Sequence, residues 1–504
     1  MTEGRNTKAV KLGNDTVARL APEVAVPRYE RKNVRPSIIH FGVGGFHRAH
    51  QAVYTDDVLA AGDLGWGIRG AGITAFDLRM NGALSPQNFL YTVVARDTEG
   101  EDVRVVGSIV DFLLGTDDPT TLVGAMSDES TRIISMTITE NGYCYRPENV
   151  DLDFDNPGVK NDIAGGKQIK TIYGCLRAAL TEIRKRGAQA PTILSCDNLP
   201  QNGDRLRKLF LQFLERVDPG LRGFVETGVE FPNCMVDRIT PITTDDQRTQ
   251  LSEQFGIIDE WPVYCERFRQ WVIEDRFPKG RPDWSVAGAT FVSDVVPFER
   301  MKIRLLNGSH SALGYVGYMM GFRRVDIAMA DPDVRSFVRA YMDEITPTVG
   351  SVPGMDLEKY KDSLIERFSN PAISDQILRL AQDGSKKIPN MILEPVGEIL
   401  AEHRATPFAS FALASWIRFL EGTDEQNKEI PIDDPIASAL RDAARLSSNA
   451  DVTPFFALKS VFPPEIAASE ALRKSVAACL SDMHRSGVRS AVRRLLKNSP
   501  MPRA

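Results

Sequence analysis

The stretch Ser37-Ile38-Ile39-His40-Phe41-Gly42-Val43-Gly44-Gly45-Phe46-His47-Arg48 decides how the rest of the chain is read. A short apolar run ends in a glycine-rich turn, and a helical pattern follows directly. Gly42 permits a tight strand-to-helix turn, and Gly44 lets backbone approach a pyrophosphate with no Cβ in the way. Free N–H groups at the start of the helix would face the anion, and Arg48 could add a charge-assisted bond. The fit to G-x-G-x-x-G is incomplete, because His47 stands where the third glycine would be. Gly42, Val43, Gly44, Gly45, Phe46, His47 and Arg48 are therefore candidate dinucleotide contacts. Taken alone the loop also reads as an ordinary tight turn; its place after a first buried strand favours the dinucleotide.

Working outward, residues 66–73, 132–138 and 192–196 read as further buried strands, with amphipathic stretches such as 169–183 between them. Strand–helix–strand alternation points to a parallel sheet with helices on its faces. The first acid beyond the second strand is Asp77. There it would accept bonds from an adenosine ribose and repel a 2′-phosphate, while capping of the following helix is the alternative. Near residue 300 the pattern changes. Windows at 302–320, 332–344, 356–369, 374–383, 395–403, 408–420, 435–444 and 468–480 are helical and separated by Pro, Gly and Asn. The expected α/β architecture is thus an expanded Rossmann-type domain over 1–295, followed by a mostly α-helical substrate and catalytic domain over 296–504.

The 504 residues carry 61 Lys+Arg against 67 Asp+Glu, a net charge of −6. That balance leaves no basic footprint for nucleic acid or an anionic membrane. Six scattered cysteines form no C-x-x-C pair, which argues against a thiolate zinc site and a secreted disulfide framework. The polar N-terminus has no signal-peptide core, and the apolar run at 312–322 is too short to span a bilayer. A soluble cytoplasmic protein without a metal is expected.

Polar groups cluster at the ends of apolar elements: Thr139-Glu140-Asn141-Gly142-Tyr143, Ser195-Cys196-Asp197-Asn198, and the Asp237–Arg238 pair. For Arg238 a buried salt bridge is the preferred reading. The most informative stretch is Glu299-Arg300-Met301-Lys302-Ile303-Arg304-Leu305-Leu306-Asn307-Gly308-Ser309-His310. On an α-helix, Asn307 and His310 lie about 140° and about 80° around the axis from Lys302, and His310 lies about 12 Å along it. The three could converge only through long side chains, an extended substrate or a helix break near Gly308. A buried lysine among apolar residues is costly unless paired or used, and desolvation beside other cations suits it to act as a base. The amides of Asn198 and Asn307 could hydrogen-bond a developing alkoxide. A satisfied polar network at a domain seam is the alternative.

With these residues in view, the chain resembles the polyol-specific long-chain dehydrogenases, the mannitol dehydrogenase family. The resemblance is carried by IIHFGVGGFHRAHQAVYTD (38–56), DVRVVGSIVDFLL (102–114), TITENGYC (137–144), SCDNLPQNG (195–203), FPNCMVDRITP (231–241), QWVIEDRFPKGRP (270–282), MKIRLLNGSHSALGY (301–315), RFSNPAISDQ (367–376) and DGSKKIP (383–389). It implies NAD-dependent, zinc-independent oxidation of D-mannitol or a similar polyol at C2 to D-fructose, and the reverse. It places the catalytic lysine on Lys302, the oxyanion asparagines on Asn198 and Asn307, and the substrate-orienting histidine on His310. Glu299 falls on the residue gating the lysine's proton path; Asp237, Arg379 and Lys387 fall on substrate-hydroxyl contacts. Asp77 matches the aspartate associated with NAD preference, whereas Phe76 replaces a residue often acidic there. A small-molecule polyol or ketose is the expected partner, with no nucleic acid or membrane, and the chain is expected to be a monomer or weak homo-oligomer. The competing readings are a fructuronate or tagaturonate reductase (D-mannonate oxidoreductase), clamping a carboxylate with Arg379 and Lys387, and a nucleotide-binding sensor without turnover.

Overall fold

Five parallel strands organise the first half of the chain: β1 (Pro36–Phe41), β2 (Gly67–Gly72), β3 (Ile109–Leu114), β4 (Ile133–Met136) and β5 (Thr192–Ser195). Their spatial order is 3-2-1-4-5. β1 is buried from Ser37 to Phe41, as a central strand covered on both faces must be. It pairs with β2 on one side and β4 on the other, with His40 opposite Ser135. The order of the strands reverses at β1, so the crevice beyond the carboxyl ends of β1 and β4 is where open α/β sheets bind ligands.

The computed structural model describes residues 9–498 apart from 117, 147, 148 and 448–450. The chain divides into two units, Met1–Val295 and Val296–Ala504. In the first, one sheet face is covered by Ile172–Lys185 and Asn202–Val217, whose Leu176, Leu180, Leu206, Phe210 and Phe213 belong to one core. The spacing Ile172, Leu176, Ala179, Leu180, Ile183 is the apolar stripe of a surface helix, and the Thr171 side chain caps it by accepting from the Gly174 N–H. The other face is covered in part by Gln51–Ala60, which shares its core with Trp271 and Trp284, whose rings meet at a tilt. Two three-stranded additions enlarge the basic fold: Tyr91–Asp97 with Gly100–Val106 and Val263–Glu266, and Cys234–Asp237 with Gln270–Glu274 and Thr290–Val292.

The second unit contains no strand among the described residues. Its centre is Gly308–Met319, small or apolar on nearly every face, packed on Pro407–Leu420. The window at 374–383 yields only a short helix, Ile377–Ala381, because Ser374 and Asp383 both take φ = 53°, which no helix can continue. A last helix, Val488–Asn498, was not expected; Arg489 and Arg493 tie it to Asp331 and Asp333. No helix among the described residues is long and apolar enough to cross a membrane.

The carboxylate of Glu344, half-buried on Pro332–Val349, accepts from the N–H groups of Phe408 and Ala409 at 2.9 and 2.8 Å. It thereby satisfies two orphan donors at the start of Pro407–Leu420. Burial nevertheless pushes the Glu344 pKa up from 4.5 to about 7. A folded-state pKa raised above the unfolded value gives stability that is complete below the unfolded pKa and lost as pH rises through the folded one. Between pH 5 and pH 8 the melting temperature of Glu344→Gln should therefore rise relative to that of the unaltered protein, by the equivalent of ~3 kcal/mol at most. A difference that stays flat over this range would contradict a carboxyl that holds its proton in the fold.

Candidate active site

The glycine loop leaves β1 with Gly42 at φ = 82°, where a methyl group would stand 2.1 Å from the Thr137 carbonyl oxygen. Only glycine fits there. Gly44 differs: a methyl on it would meet nothing nearer than the Gly42 oxygen at 3.9 Å. The protein itself leaves that space open, as a backbone cradle for a phosphate requires. The helix beginning there, α1 (Gly45–Ala49), is only one turn long and bends at His50 into α2 (Gln51–Ala60).

The polar side chains of this loop turn inward. Arg48 is buried; its Nε donates to the Gly44 carbonyl at 3.3 Å and its Nη1 to the Trp261 carbonyl, with its guanidinium over the Tyr91 ring. The expected contact with an anion gives way to a brace behind the loop, because neighbouring carbonyls take up the buried guanidinium. His47 stacks on His40 with ring centroids 3.4 Å apart, packing α1 against β1 where a third glycine was expected. Burial lowers both imidazole pKa values, so the pair is neutral. Val43 is buried in the core, and Phe46 stacks on His50.

Asp77 lies at the carboxyl end of β2, but its carboxylate serves the protein. Oδ2 accepts from Ile73 N at 3.1 Å, Thr74 N at 2.9 Å and Thr74 Oγ1 at 2.6 Å, forming a capping box at the start of α3 (Ala75–Leu84). The capping alternative is thus realised.

Beyond β5 the network is built around Asp197, which the sequence reading grouped with Asn198 without assigning it a task. Its Oδ2 accepts from Ile138 N at 3.0 Å and Tyr143 Oη at 2.7 Å, and its Oδ1 from Thr139 N at 2.9 Å. One carboxylate thereby joins the loops after β4 and β5. Desolvation raises its pKa, and the three hydrogen bonds act against that. Asn202 holds the Asp197 carbonyl at 3.0 Å and the Cys234 carbonyl at 2.8 Å, tying in the strand that ends at buried Asp237. Asn198 sits exposed on this platform. Arg238 is buried, and its guanidinium donates to the backbone carbonyls of Glu266 and Ala49 where a salt bridge was expected. The spacing of residues in sequence contains no hint of these long-range ties.

The decisive departure from expectation is at Lys302. The α-helix Val296–Met301, which carries buried Glu299, passes into a π-helix over Lys302–Asn307 and then into the α-helix Gly308–Met319. The Gly308 N–H donates to the Ile303 carbonyl, five residues back. Five residues make little more than one turn of such a helix, so Lys302 and Asn307 share a face instead of standing about 140° apart. Lys302 is buried, whereas Asn307 and His310 are half-buried. His310 is the one residue of Gly308–Met319 that is not fully buried, and it packs on Phe368. A second π-helix, Pro389–Leu393, packs against the first. A methyl on Gly308 would stand 2.8 Å from Tyr341 Oη and 2.9 Å from the Met391 carbonyl oxygen.

Arg379 is exposed and forms a two-pronged pair with Asp375, which raises its pKa. Lys387 is half-buried, and desolvation lowers its pKa. Asn198 and Asp237 belong to the first unit; Glu299, Lys302, Asn307, His310, Arg379 and Lys387 belong to the second. Among the described residues, no three His, Cys, Asp or Glu side chains gather to hold a metal ion.

A family model described as the mannitol dehydrogenase Rossmann domain matches residues 36–286, and one described as the mannitol dehydrogenase C-terminal domain matches 294–484. Mannitol 2-dehydrogenase of Aspergillus fumigatus is 38% identical over 491 residues, 95% of this chain and 98% of the relative. That of Phaeosphaeria nodorum is 37% identical over 490 residues, 96% of this chain and 85% of the relative. Among solved structures, Pseudomonas fluorescens mannitol 2-dehydrogenase in ternary complex with NAD and D-mannitol is 41% identical, with a TM-score of 0.87 over 97% of this chain and 100% of that one. A D-sorbitol dehydrogenase in substrate-free form is 33% identical, with a TM-score of 0.89 over 95% and 100% of the two chains.

The tight seat of Gly308 can be tested directly. Gly308→Ala should cost about 1–3 kcal/mol, as overpacking does, and should lower turnover by displacing the π turn. Among the described residues, Tyr341 Oη has no hydrogen-bond partner. Adding Tyr341→Phe should therefore recover part of both losses, whereas unchanged stability and turnover in Gly308→Ala would show that the two π-helices do not approach this closely.

Proposed function

We propose that this chain, which belongs to the mannitol dehydrogenase family, interconverts D-mannitol and D-fructose with NAD, using Lys302 as general base and acid. The observation that carries the chemistry is the π turn that sets a buried lysine and an amide on one face. Gly42, the open space at Gly44 and the position of the loop at the strand-order reversal suit a dinucleotide. Once bound, its nicotinamide supplies the hydride acceptor for C2.

The protein's own part is proton handling and alignment. Lys302, with its amine unprotonated, takes the C2 hydroxyl proton; in the reverse direction its ammonium returns that proton to the ketose oxygen. The amides of Asn198 and Asn307 donate to the developing alkoxide. His310, held by Phe368, orients the substrate, and Glu299, one turn before the lysine, serves its proton path. Asp237 accepts from a substrate hydroxyl, and Arg379 and Lys387 donate to others.

A neutral polyol fits this set better than a sugar acid. The Arg379 guanidinium is already neutralised by Asp375, and the Asp237 carboxylate would repel a substrate carboxylate nearby. Two outcomes follow. Lys302→Ala should fold, bind NADH and lose at least about a hundredfold in kcat, the scale of a general base; retention of a tenth of the activity would remove Lys302 from that role. In side-by-side reduction with NADH, kcat/KM for fructose should exceed that for fructuronate, and the opposite order would move the enzyme to the uronate branch.

A further inference from the structure

We infer that Phe76, Arg79 and Trp261 form the adenosine end of the dinucleotide site, and that this end accepts a 2′-phosphate, so that NADP serves besides NAD. The inference rests on the dinucleotide reading proposed above and adds to it where the cofactor's base sits and what selects it.

Three independent features meet beyond the carboxyl end of β2. First, Phe76 is 39% exposed, among the few large apolar side chains left open to solvent. Its ring stands 5.9 Å from that of Trp261, edge to face. Every purine has a π-face, so an exposed aromatic corner is a stacking platform for adenine. Secondly, Arg79 follows Phe76 by three residues on α3, which puts both on one face, and its guanidinium lies 5.9 Å over the Phe76 ring. No carboxylate pairs with Arg79 among the described residues, so its five donors remain for an anion, and an arginine at this place is how such folds take a 2′-phosphate. Thirdly, Trp261 is linked to the phosphate loop. Its carbonyl accepts from Arg48, whose Nε holds the Gly44 carbonyl, and its N–H donates to buried Asp259 at 2.9 Å. The aromatic corner is therefore braced to the loop that would hold the pyrophosphate.

The carboxylate that would repel a 2′-phosphate is almost wholly covered and turned into the cap of its own helix. Asp77 is 5% exposed, and Oδ2 is taken up by three donors of its own cap. The choice between cofactors thus passes to the residues on either side of it, an aromatic ring and a cation.

The test is calorimetric titration of the full-length protein with 5′-AMP, adenosine 2′,5′-bisphosphate, NAD and NADP. The unaltered protein should bind NADP within about tenfold of NAD, and the bisphosphate at least as tightly as 5′-AMP. Arg79→Ala should lower the ratio of NADP to NAD affinity by about tenfold, the worth of one charge-assisted hydrogen bond. Phe76→Ala should weaken 5′-AMP by a similar factor through lost stacking. Both side chains are exposed, and unchanged melting temperatures will show that the variants fold. Rejection of NADP by a hundredfold or more, or an unaltered ratio in Arg79→Ala, overturns the inference and leaves the NAD reading standing. Failure of the unaltered protein to bind NAD or 5′-AMP overturns both.

Discussion

One extra residue in a helical turn sets how the candidate residues Lys302 and Asn307 face each other. Were Lys302 to Asn307 an ordinary α-helix, the lysine and the asparagine would diverge by about 140° and would have to converge through long side chains. The π turn narrows that divergence. It also ends where needed, so that Gly308–Met319 resumes as an α-helix with His310 alone turned out of an otherwise buried surface.

A π turn is rare because it packs poorly, and the second unit stabilises this one from several sides. Arg304, inside the turn and almost wholly buried, donates to the Thr348 carbonyl and to the carboxylates of Glu394 and Glu398. Those glutamates stand on the helix that follows the second π turn, so one guanidinium joins the two irregular segments. Gly308 lets the Met391 carbonyl approach where any side chain would collide. In the first unit Asp197 does the comparable work, fixing the loops after β4 and β5 with a single carboxylate. In both units a buried charge braces the segments that carry the candidate residues, and it gains specificity of geometry at the cost of desolvation.

Much of this was legible in the sequence. β1, β2, β4 and β5 are short apolar runs bounded by turn residues, and four such runs with helices between them leave little choice but a parallel sheet. The switch to helical periodicity after residue 300 marked the second unit equally well. The π register was not legible, since apolar Ile303, Leu305 and Leu306 suit either winding and the surplus residue shows only in the hydrogen bonds. The inward turn of Arg48 and the capping role of Asp77 depended on carbonyls and N–H groups that no side-chain pattern records. The short helix at Ile377–Ala381 was overextended because the left-handed residues Ser374 and Asp383 look like ordinary polar flanks.

The central claim is that Lys302 and Asn307 act as a pair on one substrate oxygen because the π turn brings them together. A double-mutant cycle on kcat for mannitol oxidation, with Lys302→Ala, Asn307→Ala and the double variant, tests it most directly. Groups that act as a unit are strongly non-additive, so the double variant should turn over at nearly the rate of Lys302→Ala alone. A double variant whose losses multiply, each substitution costing its full factor in the presence of the other, would show that the two residues act independently and that the π turn does not join them.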